Sequence, residues 1–241
     1  MENTLTENTP TLPGGSEAWW LLTRAADLGR TLVVCATDEA AQNLFDDHTA
    51  LARWKSPESP PTARFFSEEE EERLAALSAW SGPDASANLL IASLDSLTVP
   101  LPAPGTFFGD HQKVSLGDRT NRDEFFGKLM NQGYERVDTV EKIGEVAVRG
   151  EVMDLWSPGW EGPLRLLWPF DQIESLRKID LNTQRSTDEI LEEWVRPARL
   201  KDEGRTLLDF LKDGTLFESR LPPGAAPARD GRRVVHAPLE S

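Results

Sequence analysis

The chain has 241 residues, enough for one large domain or two ordinary ones, each able to bury a core. Its 41 acidic residues outnumber its 26 basic ones and leave a net charge of -15, which disfavours general binding to a phosphate backbone and favours a protein partner or a small molecule. A single cysteine, Cys35, excludes an internal disulfide; the acidic start MENTLTENTP lacks the regions of a signal peptide, and no apolar run approaches the roughly 20 residues that cross a bilayer, so the cytoplasm is the expected compartment.

In chain order, residues 1–13 are polar and read as a flexible tail. Gly14-Gly15-Ser16 opens a helix over Glu17 to Leu28, which Gly29 closes before a strand at Thr31 to Ala36. Thr37-Asp38 caps a second helix, Glu39 to Trp54, with Ala40, Leu44, Leu51 and Trp54 at helical intervals. The proline-rich stretch Ser56 to Thr62 reads as an extended linker. Ser67 and a run of glutamates follow, with Glu70 in the place of a capping-box acid; a solvated helix start explains them better than a metal or docking site. Strands at Asn88 to Ala92 and Gln112 to Leu116, alternating with helices, imply a doubly wound parallel sheet.

A second unit begins near Leu116. Arg122 to Gln132 is an amphipathic helix with Phe125, Phe126, Leu129 and Met130 near one face and Gly133 as its stop. A meander of short strands then runs to about Arg196, cut at Gly144, Gly150, Ser157 to Gly159 and Gly162-Pro163. Beyond it, Glu203 to Leu211 fits a helix and Thr215 to Phe217 a short strand, and the Pro-, Gly- and Arg-rich remainder has no periodicity and reads as disordered.

Within the meander the segments GYERVDTV, GEVAVRG, DLW, PLRL, DQIESLR and TQRS follow one another at nearly fixed spacing. The pattern resembles the inserted second domain shared by bacterial transcription-repair coupling factors (Mfd) and the UvrB excision-repair helicase subunit. The resemblance extends more weakly over the rest, with LLDFL and GTLF (Leu207 to Phe217) similar to the return into the first domain. It implies an α/β chain: a degenerate P-loop-helicase-like parallel-sheet domain with an inserted mixed-sheet α/β domain. The expected divisions are the 1–13 tail, 14–115 for the first part of the helicase-like domain, 116–200 for the UvrB-like UvrA-interaction domain, and 201–241 for a truncated return. Such a chain is an amino-terminal module, meeting RNA polymerase only through domains it does not contain.

Signs of catalysis are sparse. A phosphate loop needs glycines, a lysine and a hydroxyl, and Pro13-Gly14-Gly15-Ser16-Glu17 has no lysine, so no nucleotide cofactor is expected. The DNA-gripping hairpin of the UvrB subunit is tyrosine-rich, whereas Tyr134 is the single tyrosine here, so no direct stable DNA binding is expected either. His48, His111 and His236 are far apart and lack metal-ligand spacing; His48, beside Asp46 and Asp47, reads as solvated. No G-x-S-x-G elbow occurs, Asp46-Asp47 and Glu192-Glu193 read as surface charge, and Cys35 as a buried, inert thiol. No catalytic residue, cofactor or metal is expected, and the chain reads as a non-enzyme.

Recognition remains. The resemblance places two UvrA-contacting arginines at Arg149 and Arg165, and guanidinium forks suit interface carboxylates. On strands Arg149 and Glu151 share a face unless Gly150 forms a bulge; the alternative role for each arginine is pairing with Glu151 or Asp154. Asp154, among Val152, Met153 and Leu155, fits an acceptor from an arginine or from turn amides, and Trp156 and Trp160 fit a cover over the sheet end or an extension of the interface. Where the family carries a second partner-touching aromatic this chain has Pro169, which reshapes the edge and moves the expected apolar anchor to Trp168 or Phe170. The expected function is UvrA binding that recruits nucleotide excision repair to stalled polymerase. The alternatives are a nucleotide-dependent α/β enzyme and a diverged interaction module with another protein partner.

Overall fold

A computed structural model of the chain describes residues 7–8, 16–58, 63–83, 85–211, 214–219, 221 and 233–237. They belong to two compact units, one drawn from Met1–Glu69, Ala76–Pro104 and Asp202–Ser241, the other from Glu70–Ala75 and Gly105–Lys201, so the second interrupts the chain of the first. The elements in order are β1 (Glu7–Asn8), α1 (Ser16–Leu28), β2 (Thr31–Cys35), α2 (Asp38–Lys55), β3 (Ala63–Phe65), α3 (Glu70–Ser81), β4 (Leu89–Ser93), α4 (Pro104–Gly109), β5 (Gln112–Ser115) and α5 (Arg122–Asn131). There follow β6 (Glu135–Arg136), β7 (Glu145–Arg149), β8 (Val152–Leu155), β9 (Leu164–Leu167), β10 (Ser175–Asp180), β11 (Arg185–Glu189), β12 (Glu192–Val195), α6 (Leu207–Phe210), β13 (Thr215–Ser219) and β14 (Arg233–Ala237).

The first unit is a parallel sheet in the order β1-β14-β13-β2-β4-β3. The runs TLVVC in β2 and LLIAS in β4 are buried at every position, as central parallel strands covered on both faces must be. Ala18 and Leu21 of α1 and Ala41 and Leu44 of α2 close over Val33, Cys35, Leu89, Ile91 and Phe217, and Trp20 stacks on Phe217 at 5.3 Å. Thr37 caps α2 as expected, its side chain accepting from the Ala40 N–H at 3.2 Å.

Several expectations change here. The buried stripe of α2 runs through Ala41, Leu44 and His48, spaced three and four residues apart, while Ala40 and Trp54 face outward. His48 is therefore a core residue at 0% exposure rather than a solvated one, and neither ring nitrogen has a hydrogen-bond partner. Ser67 does not cap α3; its hydroxyl accepts from the Glu69 N–H in a local turn. The expected helix from Glu203 shrinks to α6, because Gly204 takes φ +66 and Arg205 pairs its backbone with Leu101. The carboxyl-terminal stretch read as disordered contributes β14, paired along its whole length with β13. Apart from Glu7–Asn8, the expected 1–13 tail lies outside the described residues, as do Gly14-Gly15, residues 59–62 of the linker and the rest of the final segment.

The second unit is built on a mixed sheet in the order β11-β10-β9-β8-β7-β6, antiparallel except for the β6–β7 pair. Its inner face carries Val146, Met153, Leu155, Leu164, Leu166 and Leu176 against Phe125 and Leu129 of α5. Helix α5 starts where Asn121 Oδ1 accepts from the Glu124 N–H at 2.9 Å and stops at Gly133, whose φ is +90 and whose Cβ, if present, would lie 2.8 Å from the Arg199 side chain. Strand β5, expected to continue the parallel sheet, instead pairs antiparallel with β12. Its sequence QKVS buries only Val114, the alternation of a strand with one covered face. Trp156 and Trp160 close one end of this core, the Trp156 indole donating to the Trp160 carbonyl at 3.2 Å and the Trp160 indole to the Trp194 carbonyl at 3.0 Å. The described residues thus form a mixed α/β fold with one parallel sheet, one mixed sheet and the two-stranded antiparallel pair of β5 and β12.

Burial lowers the His48 pKa to about 4 by penalising the charged imidazolium. An unfolded histidine takes its proton near pH 6.5, so the folded state is at no disadvantage above that value and loses ground as pH falls from there toward 4. Between pH 7 and pH 5 the loss from this residue is about 2 kcal/mol. Urea unfolding at both pH values measures it, and His48→Leu is expected to flatten the dependence.

Candidate functional site

The mixed sheet of the second unit has an outer face set by strand register. Arg149 pairs with Val152 across the two-residue turn Gly150-Glu151, and Gly150 supplies the positive φ, +59, of such a tight hairpin. Gly150 is thus a turn residue and not a bulge within a strand. Asp154 lies opposite Arg165, Arg165 opposite Arg177, and Arg177 opposite Glu189. Directly opposed residues of an antiparallel sheet share a face, so these four form a row, and Arg149 joins that face two residues beyond Ala147, the partner of Asp154.

The row is organised by one carboxylate. The Asp154 side chain is 1% exposed and accepts from Arg165 Nε at 2.7 Å, from Arg165 Nη2 at 2.7 Å and from Arg149 Nη2 at 2.6 Å. Arg165 grips both oxygens, a fork that matches carboxylate geometry. Its Nη1 points to the Gln184 carbonyl at 3.3 Å and Ser186 Oγ at 3.5 Å, and its side chain is 23% exposed. Hydrogen bonding to Asp154 raises the Arg165 pKa above its ordinary value. Arg149 spends one nitrogen on Asp154 and is 52% exposed. Arg177 turns to its own sheet, reaching Ser175 Oγ, the Thr187 carbonyl and Glu189 Oε2. Along this row three guanidiniums thus meet two carboxylates, while Glu145 of β7 and its partner Glu135 of β6 add two more carboxylates to the same face. Arg149, half exposed, is the guanidinium of the Asp154 cluster most open to a further carboxylate.

The two aromatics part company. Trp168 is buried, its ring 5.1 Å from Phe125 and its indole N–H on the Thr120 carbonyl at 3.1 Å. As a core residue it is not available as a surface anchor, which corrects its expected role. Phe170 is 96% exposed. Between them Pro169 stands beyond the end of β9 and opens a turn in which its carbonyl accepts from the Gln172 N–H at 3.0 Å, with Phe170 at φ 48 and Asp171 at φ 60. Proline therefore removes no ladder bond from a central strand. Arg122, a residue that the sequence marked only as a helix start, holds this region: its backbone N–H meets the Asp171 carboxylate at 3.3 Å and its guanidinium donates to the Gly150 carbonyl. Pairing with Asp154, the alternative role read for each arginine, is found for both; that they share it at once was hidden, since it depends on the register of three strands.

Among the described residues no group of three or more His, Cys, Asp or Glu side chains could hold a metal ion. No helix among them is long and apolar enough to cross a membrane.

Residues 113–200 match the family model of the UvrB interaction domain. The chain is 38% identical over 96 residues to the transcription-repair-coupling factor of Myxococcus xanthus, covering 39% of this chain and 8% of that protein. It is 32% identical over 155 residues to that of Escherichia coli strain K12, covering 64% and 12%. To that of Staphylococcus aureus strain MRSA252 it is 34% identical over 154 residues, covering 63% and 13%. The matched part is about a tenth of the length of these relatives. On these matches, residues 113–200, which carry the arginine face, resemble a UvrB interaction domain, in a chain similar to part of transcription-repair-coupling factors.

Proposed function

We propose that the chain is a non-catalytic, cytoplasmic interaction module whose second unit binds UvrA. Joined to the remainder of a coupling factor, it recruits nucleotide excision repair to stalled RNA polymerase. The observation that carries this reading is the coincidence of the matched domain with the arginine pair: Arg149 and Arg165 lie in that domain, on one face, over a shared buried carboxylate. Phe170, exposed on its turn, takes the part of apolar anchor beside them. The first unit is read as a degenerate helicase-like domain, a reading supported by its parallel sheet and by the missing lysine in Pro13 to Glu17.

Calorimetric titration with magnesium-ATP and a duplex gel shift at physiological salt are both expected to give no binding at micromolar protein; saturation in either would restore an enzymatic or DNA-directed reading. In titrations against UvrA, Arg149→Glu is expected to weaken binding by on the order of 2–5 kcal/mol, and Phe170→Ala to weaken it without altering the circular dichroism. A folded wild-type chain that ignores UvrA would favour the diverged module, for which Pro169 in place of an aromatic is the motive. Arg165 affects stability as well: Arg165→Ala strips two of three donors from a buried carboxylate and is expected to lower unfolding free energy by about 2–3 kcal/mol, read from urea midpoints.

A further inference from the structure

At the end of the mixed sheet opposite Arg149 and Phe170, where β8 ends and β9 begins, the second unit holds a cavity of about 500 Å³. The turn before β9, the end of β10 and strand β12 contribute its walls. Trp160, Leu164, Ile179 and Ile190 give it an apolar lining, and the first three are buried. Trp160 is fixed in place, because its indole donates to the Trp194 carbonyl at 3.0 Å and its own carbonyl accepts from the Trp156 indole at 3.2 Å. A wall so tied is already formed before a ligand arrives. The volume, and an apolar lining with a few polar groups, are those of a small-molecule site. We infer that the cavity binds a small organic cation, an ammonium group carried on an apolar or aromatic body. The inference is independent of UvrA binding.

The charges around the cavity decide the sign of that ligand. Glu161, Asp180 and Glu193 line it together with Lys178 and Arg196. Lys178 and Glu161 stand 3.9 Å apart with both side chains well exposed, and they cancel each other on the solvent side. Arg196 is 9% exposed and tucked against the turn at Gly159, its Nη1 donating to the Pro158 carbonyl at 3.0 Å. Even with Arg196 set against one of the two remaining acids, the lining keeps a net negative charge. The next charges out do not alter the count: Arg185 and Asp188 of β11 are of opposite sign, Glu189 is paired with Arg177 at 3.1 Å, and Glu192 with Lys113 at 2.8 Å. Among the described residues neither Asp180 nor Glu193 makes an ion pair, and both are half-buried. Oδ1 of Asp180 accepts from the Thr183 N–H and hydroxyl, each at 2.8 Å, and Oε1 of Glu193 from the Trp194 N–H at 2.9 Å. These bonds aim the carboxylates without neutralising them, and the Thr183 hydroxyl holds the Asp180 pKa below its ordinary value. A half-buried carboxylate is screened less than one in open water, and an ammonium brings three donors and the missing charge. A bare metal ion does not fit, since no three ligating side chains gather here.

Chemical-shift titration of the isotope-labelled full chain tests the assignment with three probes of like shape: phenethylamine, a cation at neutral pH, phenethyl alcohol, which is neutral, and phenylpropionate, an anion. The amine is expected to shift the Trp160 indole resonance saturably, with a Kd of about 1 mM or tighter, and the other two to bind at least about tenfold more weakly. Asp180→Asn and Glu193→Gln keep a local acceptor while removing the charge. Each is expected to lower amine affinity about threefold to fivefold with the circular dichroism unchanged. Equal binding of amine and alcohol would reduce the cavity to an apolar hole, and tighter binding of phenylpropionate would give the site to Arg196 and Lys178; either result overturns the proposal. So does a titration that fails to saturate by about 10 mM amine, or unchanged affinity in both variants. Should one variant fail to fold, the other and the three-probe series carry the test. None of these readouts involves UvrA, so failure here leaves the functional reading untouched, and the reverse holds equally.

Discussion

The second unit depends on a carboxylate buried at the centre of its sheet. A carboxylate at 1% exposure is costly unless donors replace the lost water, and the donors to Asp154 come from β7 and β9, the two strands flanking its own. That demand fixes register. A one-residue slip of β9 would turn Arg165 inward among Phe125, Leu129 and Met153 and send Leu164 or Leu166 outward, so hydrophobic pattern and ion pairing specify the same pairing. The carboxylate that pins the strands therefore also places two guanidiniums on the outer surface.

Much of this fold was legible where one local rule sufficed. Continuous apolar runs gave β2 and β4, a cap opened α2, a glycine stop ended α5, and glycine-punctuated alternation gave the meander. The expectations that failed were those that a neighbouring segment decides. The phase of α2 turns on which stripe meets the sheet, and a histidine at the right interval was drawn inside with Ala41 and Leu44. Strand β14 exists by pairing with β13, a partner about twenty residues away that no local pattern announces. Trp168 looked like an interface residue by type, yet it follows the last residue of β9 and its indole reaches a carbonyl 48 positions earlier. The arginines were legible as a pair through resemblance. Their unequal bonding was not, because it follows from cross-strand geometry.

The chain's charge acts at two ranges. At -15 the molecule repels a phosphate backbone as a whole, while a few guanidiniums on one sheet face create an attraction that works within about a Debye length, roughly 8 Å at physiological salt. Any attraction exerted by Arg149, half exposed on that face, is therefore short in range.

The turn from Pro169 to Gln172 shows how one replacement can be absorbed at that surface. A phenylalanine at φ 48 and an aspartate at φ 60 occupy a left-handed region that is unfavourable for bulky side chains, by about 1–3 kcal/mol each where the strain is greatest. The surrounding bonds hold them there. The Pro169 carbonyl accepts from Gln172, the Asp171 carbonyl from the Thr120 N–H at 3.0 Å, and the Asp171 carboxylate from Arg122. Each tie other than that of Pro169 itself runs to the segment that leads into α5, whose Phe125 packs on Trp168. The strain is therefore met by the same core that removes Trp168 from the surface. What it produces is a phenylalanine thrown outward two residues after the buried tryptophan, beside the end of the sheet where Arg149 emerges. An aromatic presented on a strained but well-tied turn has little freedom left to lose on contact, and Phe170, 96% exposed, is such a residue.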